Sequence, residues 1–322
     1  AARARSAAST RITAAAAANE LSIATFNVEN LDVGDGAAKF DGLADRIVHN
    51  LRSPKIVALE EVQDNNGPTD DGTVDADVTL NRLVAAIQPA GGPAYSYTYI
   101  SPVNDEDGGE PGGNIRIAFL YDTAAGVSLP AGATKGGSTD ANAVVTDASG
   151  APHLALDPGR IDPLNAAWSD SRKPLAGEFV FRGQTFFVIG NHFNSKGGDD
   201  PLMGRFQPPT RSSELQRHQQ AQLVHDFVAS ILAHDAQAKV VVLGDLNDFQ
   251  FSDTVHILEG GATPILADMI DTLPVNEQYS YEFEGNAQVL DHILATTGVK
   301  SPSFDVVHIN AEFWDQLSDH DP

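Results

Sequence analysis

Cysteine is absent from this 322-residue chain, which excludes disulfide staples, thiolate metal ligands and a sulfur nucleophile and leaves oxygen and imidazole chemistry. Positive charge is scarce: 20 Lys and Arg stand against 44 Asp and Glu, a formal net charge of −24. Proteins that bind polyanions ordinarily carry a basic footprint, so the global balance argues against nucleic acid. The local balance differs. From Arg160 to Arg217, the basic residues Arg160, Arg172, Lys173, Arg182, Lys196, Arg205, Arg211 and Arg217 outnumber the acidic Asp162, Asp170, Glu178, Asp199, Asp200 and Glu214. Acidity elsewhere fits solubility in a salty or extracellular setting, where the screening length falls to about 3 Å at 1 M salt. No apolar run approaches the roughly 18 residues that span a bilayer, so no stable membrane insertion is expected. The chain begins at Ala1 without a methionine and reads as a mature or trimmed form, in which a removed export signal would be invisible.

What is present is a hydrophobic content of 42%, enough for a substantial core. Residues 1–20 read as an Ala-rich leader or linker, and 21–322 as a single domain, because the polar motifs run from Asn27 to His320 and one site would have to collect them all. Strands are expected at 21–28 and 56–62, separated by a helix whose face carries Phe40, Leu43, Ala44, Ile47, Val48 and Leu51. A short helix at 80–87 and strands at 95–100 and 115–121 follow. Residues 122–173 are rich in Gly, Pro, Ala and Asp and read as an insertion or binding loop. A hairpin is expected around Arg182-Gly183. The best helix spans 213–234, with Leu215, Val224, Phe227, Val228 and Ile231 on its apolar face, and a strand buried on both faces covers 239–243. Helices separating strands, with hairpins mixed in, indicate an α/β protein with mixed sheets. No internal repeat is visible.

Short polar motifs close the apolar runs: Asn27 in IATFNVEN, Glu61 in IVALEEVQD, His192 in FFVIGNHFNSKGG, Asp245 and Asn247 in VVVLGDLND, Asp291 in VLDHILAT, and Ser318-Asp319-His320. Phosphoester hydrolysis requires a hard cation on the phosphate, an activated water and a stabilised leaving oxygen. Mg²⁺ and Mn²⁺ take carboxylate and amide oxygens at about 2.1 Å. Glu61 and Asp319 are the first-choice ligands, with Asn27 beside them. In extended chain Asp245 and Asn247 would project to one side. Asp291 and His320 would pair, the carboxylate fixing the ring and raising its basicity. Singly, each motif has a plainer reading as a turn, a solvated carboxylate or a capping residue. Independent turns have no reason to produce the whole ordered set.

These motifs, with LEEVQD, GNIRIAFLYD, LDHIL and SDHDP, resemble the endonuclease/exonuclease/phosphatase superfamily over roughly residues 21–322, and most closely its secreted bacterial extracellular deoxyribonucleases. The resemblance implies a four-layer α-β-β-α sandwich of two mixed β-sheets with the site at one end. It implies Glu61 on the divalent ion with Asn27 and Asp319, and Asp245 and Asn247 positioning water and a phosphate oxygen. It further implies His320, oriented by Asp291, as base or phosphate-stabilising group, and His192 on the phosphate and leaving group; the base role is shared between Asp245 and His320. Pancreatic-type relatives pair the His192 equivalent with a carboxylate that cannot be placed here, and Asn114 and Arg116 stand in its neighbourhood. Together with Asn194 and Lys196 they are the candidate substrate contacts; Lys173, Arg205 and Arg211 are further phosphate candidates. Relatives continue beyond Pro322 into another strand, so a truncated end is expected.

The loop 64–77 has oxygens suited to a structural Ca²⁺, but its spacing lacks the closing Glu of the twelve-residue EF-hand loop, and a plain acidic loop is preferred. The leading expectation is a secreted (extracellular or periplasmic) bacterial nuclease that uses Mg²⁺ or Mn²⁺ and acts on DNA or RNA, with no protein partner implied. A phosphodiesterase or phosphatase for a lipid headgroup or small phosphoester is the alternative, and a non-catalytic acidic interaction domain the third.

Overall fold

In the computed structural model, which describes residues 10, 12, 15–201 and 204–322, the opening segments build one sheet. Strand β1 (Ile23–Leu31) runs parallel to β2 (Ile56–Val62), because the helix α1 (Ala37–Asp45) and a π-helical turn through Asn50 carry the chain back between them. After helix α2 (Asp77–Ile87), strand β3 (Ser96–Tyr99) pairs antiparallel with β4 (Arg116–Tyr121), giving the order β1-β2-β4-β3. Most of residues 1–20 lie outside the described residues, but Thr10 and Ile12 donate backbone hydrogen bonds to His308 and Asn50.

The irregular segment 122–173 is better ordered than its composition implies. It contains β5 (Val127–Ser128), the hairpin of β6 (Val144–Thr146) and β7 (Pro152–Leu154), and β8 (Gly159–Arg160). Strands β5 and β8 both add to β9 (Leu175–Phe181). On β9, Glu178 meets His153 Nδ1 at 2.7 Å and accepts from the Leu154 amide at 2.9 Å, so the insertion is fastened to the sheet. Buried Asp107 receives Arg160 at 2.8 Å and Lys173 at 2.7 Å, tying the glycine-containing turn 107–113 to the same segment. The expected hairpin joins β9 to β10 (Gln184–His192). Helix α3 (Ser212–Leu232) then returns the chain to β11 (Lys239–Asp245), parallel to β10. Helix α4 (Asp253–Glu259), β12 (Ala267–Asp268), the hairpin of β13 (Tyr281–Phe283) and β14 (Asn286–Gln288), and β15 (Asp291–Ala295) complete the order β12-β15-β11-β10-β9-β5 in the second sheet.

Strand alternation explains the layering. On β2, Val57 and Leu59 pack with Phe40 and Leu43 of α1 and Leu80 and Leu83 of α2. The intervening Ile56 and Ala58 pack with Phe179, Val188, Val241 and Leu243 of the second sheet. On β11, Val240 and Val242 turn the other way, onto Val224, Val228 and Ile231 of α3 and Val255 and Leu258 of α4. Helices, sheet, sheet and helices thus form the four-layer sandwich.

Helix α3 corrects one expectation. Leu215 is not on its buried face but 65% exposed. Its place is taken by Arg217 and Gln220, both buried, which hold the loops around the site. Arg217 Nε reaches Asp248 at 3.0 Å, and the Gln220 amide bonds Asn194 N and Ala167 O, each at 2.9 Å. A hydrophobicity period cannot register a buried face that is polar.

Asp157 accepts the Glu178 amide at 2.9 Å through Oδ1, while its buried Oδ2 has no hydrogen-bond partner. Burial raises its pKa to about 7. The folded state therefore holds this proton up to that pH, whereas the unfolded chain releases it near 4. The contribution to stability is full below the unfolded value and is lost as pH rises through 7. Asp157→Asn should therefore flatten the decline in stability between pH 4 and 7 and raise the melting midpoint at pH 8, by roughly 2 °C per kcal/mol recovered, measured by thermal denaturation across that range.

Candidate active site

The register of the second sheet sets three functional side chains in a row. His192 on β10 is opposite Asp245 on β11, and Asp245 is opposite Asp291 on β15. Gly244 makes the close approach of β10 and β11 here: its φ is +123°, and a Cβ would lie 2.0 Å from the Asn191 carbonyl oxygen. Asp245 and Asn247 come together through a turn rather than through strand alternation. Asn247 is left-handed, with φ 50°, and its amide donates to Asp245 Oδ1 at 2.7 Å.

The first sheet supplies Asn27 and Glu61 at the adjoining ends of β1 and β2. Glu61 occupies a bulge, at φ 62°, where the β2–β4 register shifts. Its carboxylate accepts from Asn27 Nδ2 and from the Asn30 amide, each at 3.0 Å. Asn27 Nδ2 also lies 3.4 Å from Asp245 Oδ2, which joins the two sheets. Neighbouring Glu60 is fully buried and accepts from Thr25 Oγ1 at 2.7 Å; burial keeps its carboxyl protonated, far above the usual range.

His192 Nε2 is 3.5 Å from Asp245 Oδ2 and 3.8 Å from Glu61 Oε1, and its Nδ1 makes no hydrogen bond. On the other side His320 Nδ1 meets Asp291 Oδ2 at 2.7 Å, leaving Nε2 3.8 Å from Asp245 Oδ2. Ser280 Oγ donates to Asp291 at 2.7 Å, and Ser318 Oγ bonds the Asn27 carbonyl at 2.6 Å, so both ends of the chain are fastened to the site.

The two histidines are driven apart electrostatically. Burial, then the charges of Arg172 and His320, pushes the His192 pKa well below its ordinary value, so its ring is neutral. Burial opposes the charged form of His320 too, but Asp291 and Asp245 overcome it, and the His320 pKa is well above ordinary. Asp245 is raised by burial, against the pull of His320, to about 7.

Asp319, an expected first-choice ligand, has a side chain 39% exposed, with Oδ1 3.8 Å from His320 Nε2, and its charge also acts on Glu29 and Tyr281. Asn194 lies in the loop after β10, its backbone held by Gln220 and Arg217. The Lys196 ammonium donates to the Asn247 carbonyl and sits 3.4 Å from Asp248. Asn114 and Arg116 are elsewhere engaged. Asn114 Nδ2 bonds Asp64 and the Thr73 carbonyl, and the Arg116 guanidinium bonds the carbonyls of Val62, Val74 and Asn114, so both hold the loop 64–77 rather than His192. Lys173 is neutralised by Asp107, and Arg211 pairs with Glu214 at 2.9 Å. Arg172 was given no role from sequence, yet its buried guanidinium bonds the Phe193 carbonyl at 2.6 Å and acts electrostatically on Glu61 and Asp245. Only its place within the basic stretch hinted at this.

The donors fit a hard divalent cation. Glu61, His192 and Asp245 each offer an atom within 4.8 Å of the others, and the buried Asp291 Oδ1 has no hydrogen-bond partner; Asp245, Asp291 and His320 lie as close together, but the cationic His320 ring offers no lone pair to a metal. The carboxylate oxygens of Glu61 and Asp245 are donors suited to a hard divalent cation. Among the described residues no comparable group of acidic side chains forms in the loop 64–77. There Asp64 and Asp71 accept from the backbone amides of Asn66 and Thr73, each at 3.0 Å, so the carboxylates expected to serve a structural Ca²⁺ do not converge.

Solved structures share the fold. An endonuclease/exonuclease/phosphatase from Bacteroides vulgatus is 15% identical, with 94% of this chain and 95% of that one covered and a TM-score of 0.57. D. rerio TDP2 complexed with single strand DNA product is 16% identical, with 94% and 96% covered and a TM-score of 0.54. A family protein from Leptotrichia buccalis is 16% identical, with 94% and 97% covered and a TM-score of 0.55. No curated protein matches significantly. Glu61→Gln removes a charge from the donor set and, with one acceptor oxygen in place of two, keeps only one of the hydrogen bonds from Asn27 and Asn30; Mn²⁺ affinity by titration calorimetry should fall roughly 10- to 100-fold, with the fold unchanged by circular dichroism. The sequence from residue 24 to residue 320, which holds every side chain of the cluster, matches the Endonuclease/Exonuclease/phosphatase family, and the chain belongs to that family.

Proposed function

We propose that residues 21–322 act as one catalytic unit, a secreted nuclease that hydrolyses phosphodiester bonds of DNA and, where the strand fits, RNA. The observation that carries this reading is the convergence of Glu61, His192, Asp245, Asp291 and His320 at the adjoining ends of two sheets. Family membership and this donor set support metal-dependent phosphodiester hydrolysis. A divalent cation bound there supplies positive charge to the phosphate and to the developing transition state. Nucleic acid as the substrate draws support from the TDP2 relative that holds single strand DNA product and from Lys196 beside Asn247.

The chain's own groups divide the remaining work. Asp245, held by Asn247 and flanked by His192 and His320, is placed to accept the proton from the attacking water. His320, held cationic by Asp291, stabilises charge on the phosphate. Neutral His192 donates a hydrogen bond to a phosphate oxygen rather than acting as an acid. Asn247 fixes Asp245 through its amide and Nδ2.

The net charge of −24 favours a second reading, a small phosphoester or headgroup as substrate. No helix among the described residues is long and apolar enough to cross a membrane. Supercoiled plasmid separates the two. Nicking should require Mg²⁺ or Mn²⁺, stop with chelator, and fall by roughly 10²- to 10⁴-fold in His320→Ala. Intact plasmid, with turnover of a small phosphodiester by the same folded protein, selects the second reading.

A further inference from the structure

Two residues beyond Asn247 the chain presents an aromatic pair that neither core nor catalysis uses. The rings of Phe249 and Phe251 stack with centroids 5.3 Å apart and planes at 25°. Phe251 is 70% exposed, so one face of its ring is open to solvent. Lys196, whose ammonium bonds the Asn247 carbonyl, lies over the Phe249 ring 4.5 Å from its centroid. Lys196, the half-buried Phe249 ring and the exposed Phe251 ring thus lie together beside the turn that carries Asn247. Asp248 sits beneath this shelf, gripped by Arg217 at 3.0 Å and by Thr254 at 2.7 Å, so the loop bearing it is rigid.

We propose that Phe249 and Phe251 form a stacking shelf for the nucleobase next to the scissile phosphate, and that the preferred substrate is unpaired nucleic acid. This rests on the nuclease reading of the same site. An exposed ring recognises a base by its π-face, with little regard to sequence, while a neighbouring cation tracks the backbone. In a duplex both faces of each base are already covered by its stacked neighbours, so only an unpaired base can use the shelf. The Lys196 ammonium, shared between the Asn247 carbonyl and Asp248, holds the Phe249 end of the shelf in place.

The test is binding, kept separate from cleavage. In a His320→Ala background with Mg²⁺ present, fluorescence anisotropy compares labelled oligothymidylate, an abasic tetrahydrofuran oligomer of the same length, and a duplex. The protein should bind oligothymidylate most tightly. Adding Phe251→Ala should weaken that binding roughly 5- to 100-fold and leave the abasic oligomer nearly unaffected, while Phe251→Trp retains the preference. Equal losses on oligothymidylate and abasic oligomer, no loss on either, the same loss on duplex, or no binding to any of the three would overturn the shelf. Failure of the nuclease reading is read elsewhere, as plasmid and single-stranded oligonucleotide both left intact by the wild-type chain with Mg²⁺ or Mn²⁺.

Discussion

A single carboxylate oxygen, Asp245 Oδ2, is the point on which the two sheets converge. Asn27 approaches it from the first sheet at 3.4 Å, and Asn247, His192 and His320 from the other sides at 3.2, 3.5 and 3.8 Å. Removing a carboxylate from water costs several kcal/mol unless donors or cations replace the solvent. Much of the surrounding architecture follows from that requirement. The left-handed turn at Asn247 supplies amide donors, the glycine at 244 lets β10 and β11 come close enough for His192, and the Asp291–His320 pair delivers a cation.

Other buried imidazole and carboxylate pairs repeat the device around the rim. His292 bonds Asp268 at 2.6 Å and the Asp248 carbonyl at 2.9 Å, which holds the loop after β11 from below. His308 bonds Asp321 at 3.0 Å, and Asp321 Oδ1 accepts the amides of Ile309, Asn310 and Ala311, which folds the final segment beneath His320. Catalytic geometry tolerates errors of only about half an ångström. Loops alone seldom reach that, and here the loop after β11 and the final segment are each held by a buried histidine–aspartate pair.

The sequence displayed this site because strand-end residues stand out against apolar runs. GNHFNSKGG, GDLND and LDHIL each break a hydrophobic stretch, and sheet register places His192, Asp245 and Asp291 side by side. Less visible were residues whose meaning depends on distant backbone. Arg172 joins the site by folding across the Phe193 carbonyl, a relation no local pattern encodes. Asn114 and Arg116 looked available beside β4, but the carbonyls of the loop 64–77 needed donors and took them. Ser280 acquires its role only because the bridge between Tyr281 and His320 brings it to Asp291. The order in 122–173 was likewise hidden, since it derives from Glu178 on a strand that follows it.

Ser318 holds the Asn27 carbonyl across a separation of 291 residues. Contacts this distant form late in folding, after the local ones. On a ribosome, Asn27 and Glu61 emerge long before Asp291 and His320, and a nascent chain short of residue 320 has no histidine in that pair. Such a chain could be largely folded and still lack His320, so the cluster around Asp245 closes only when residue 320 has been made.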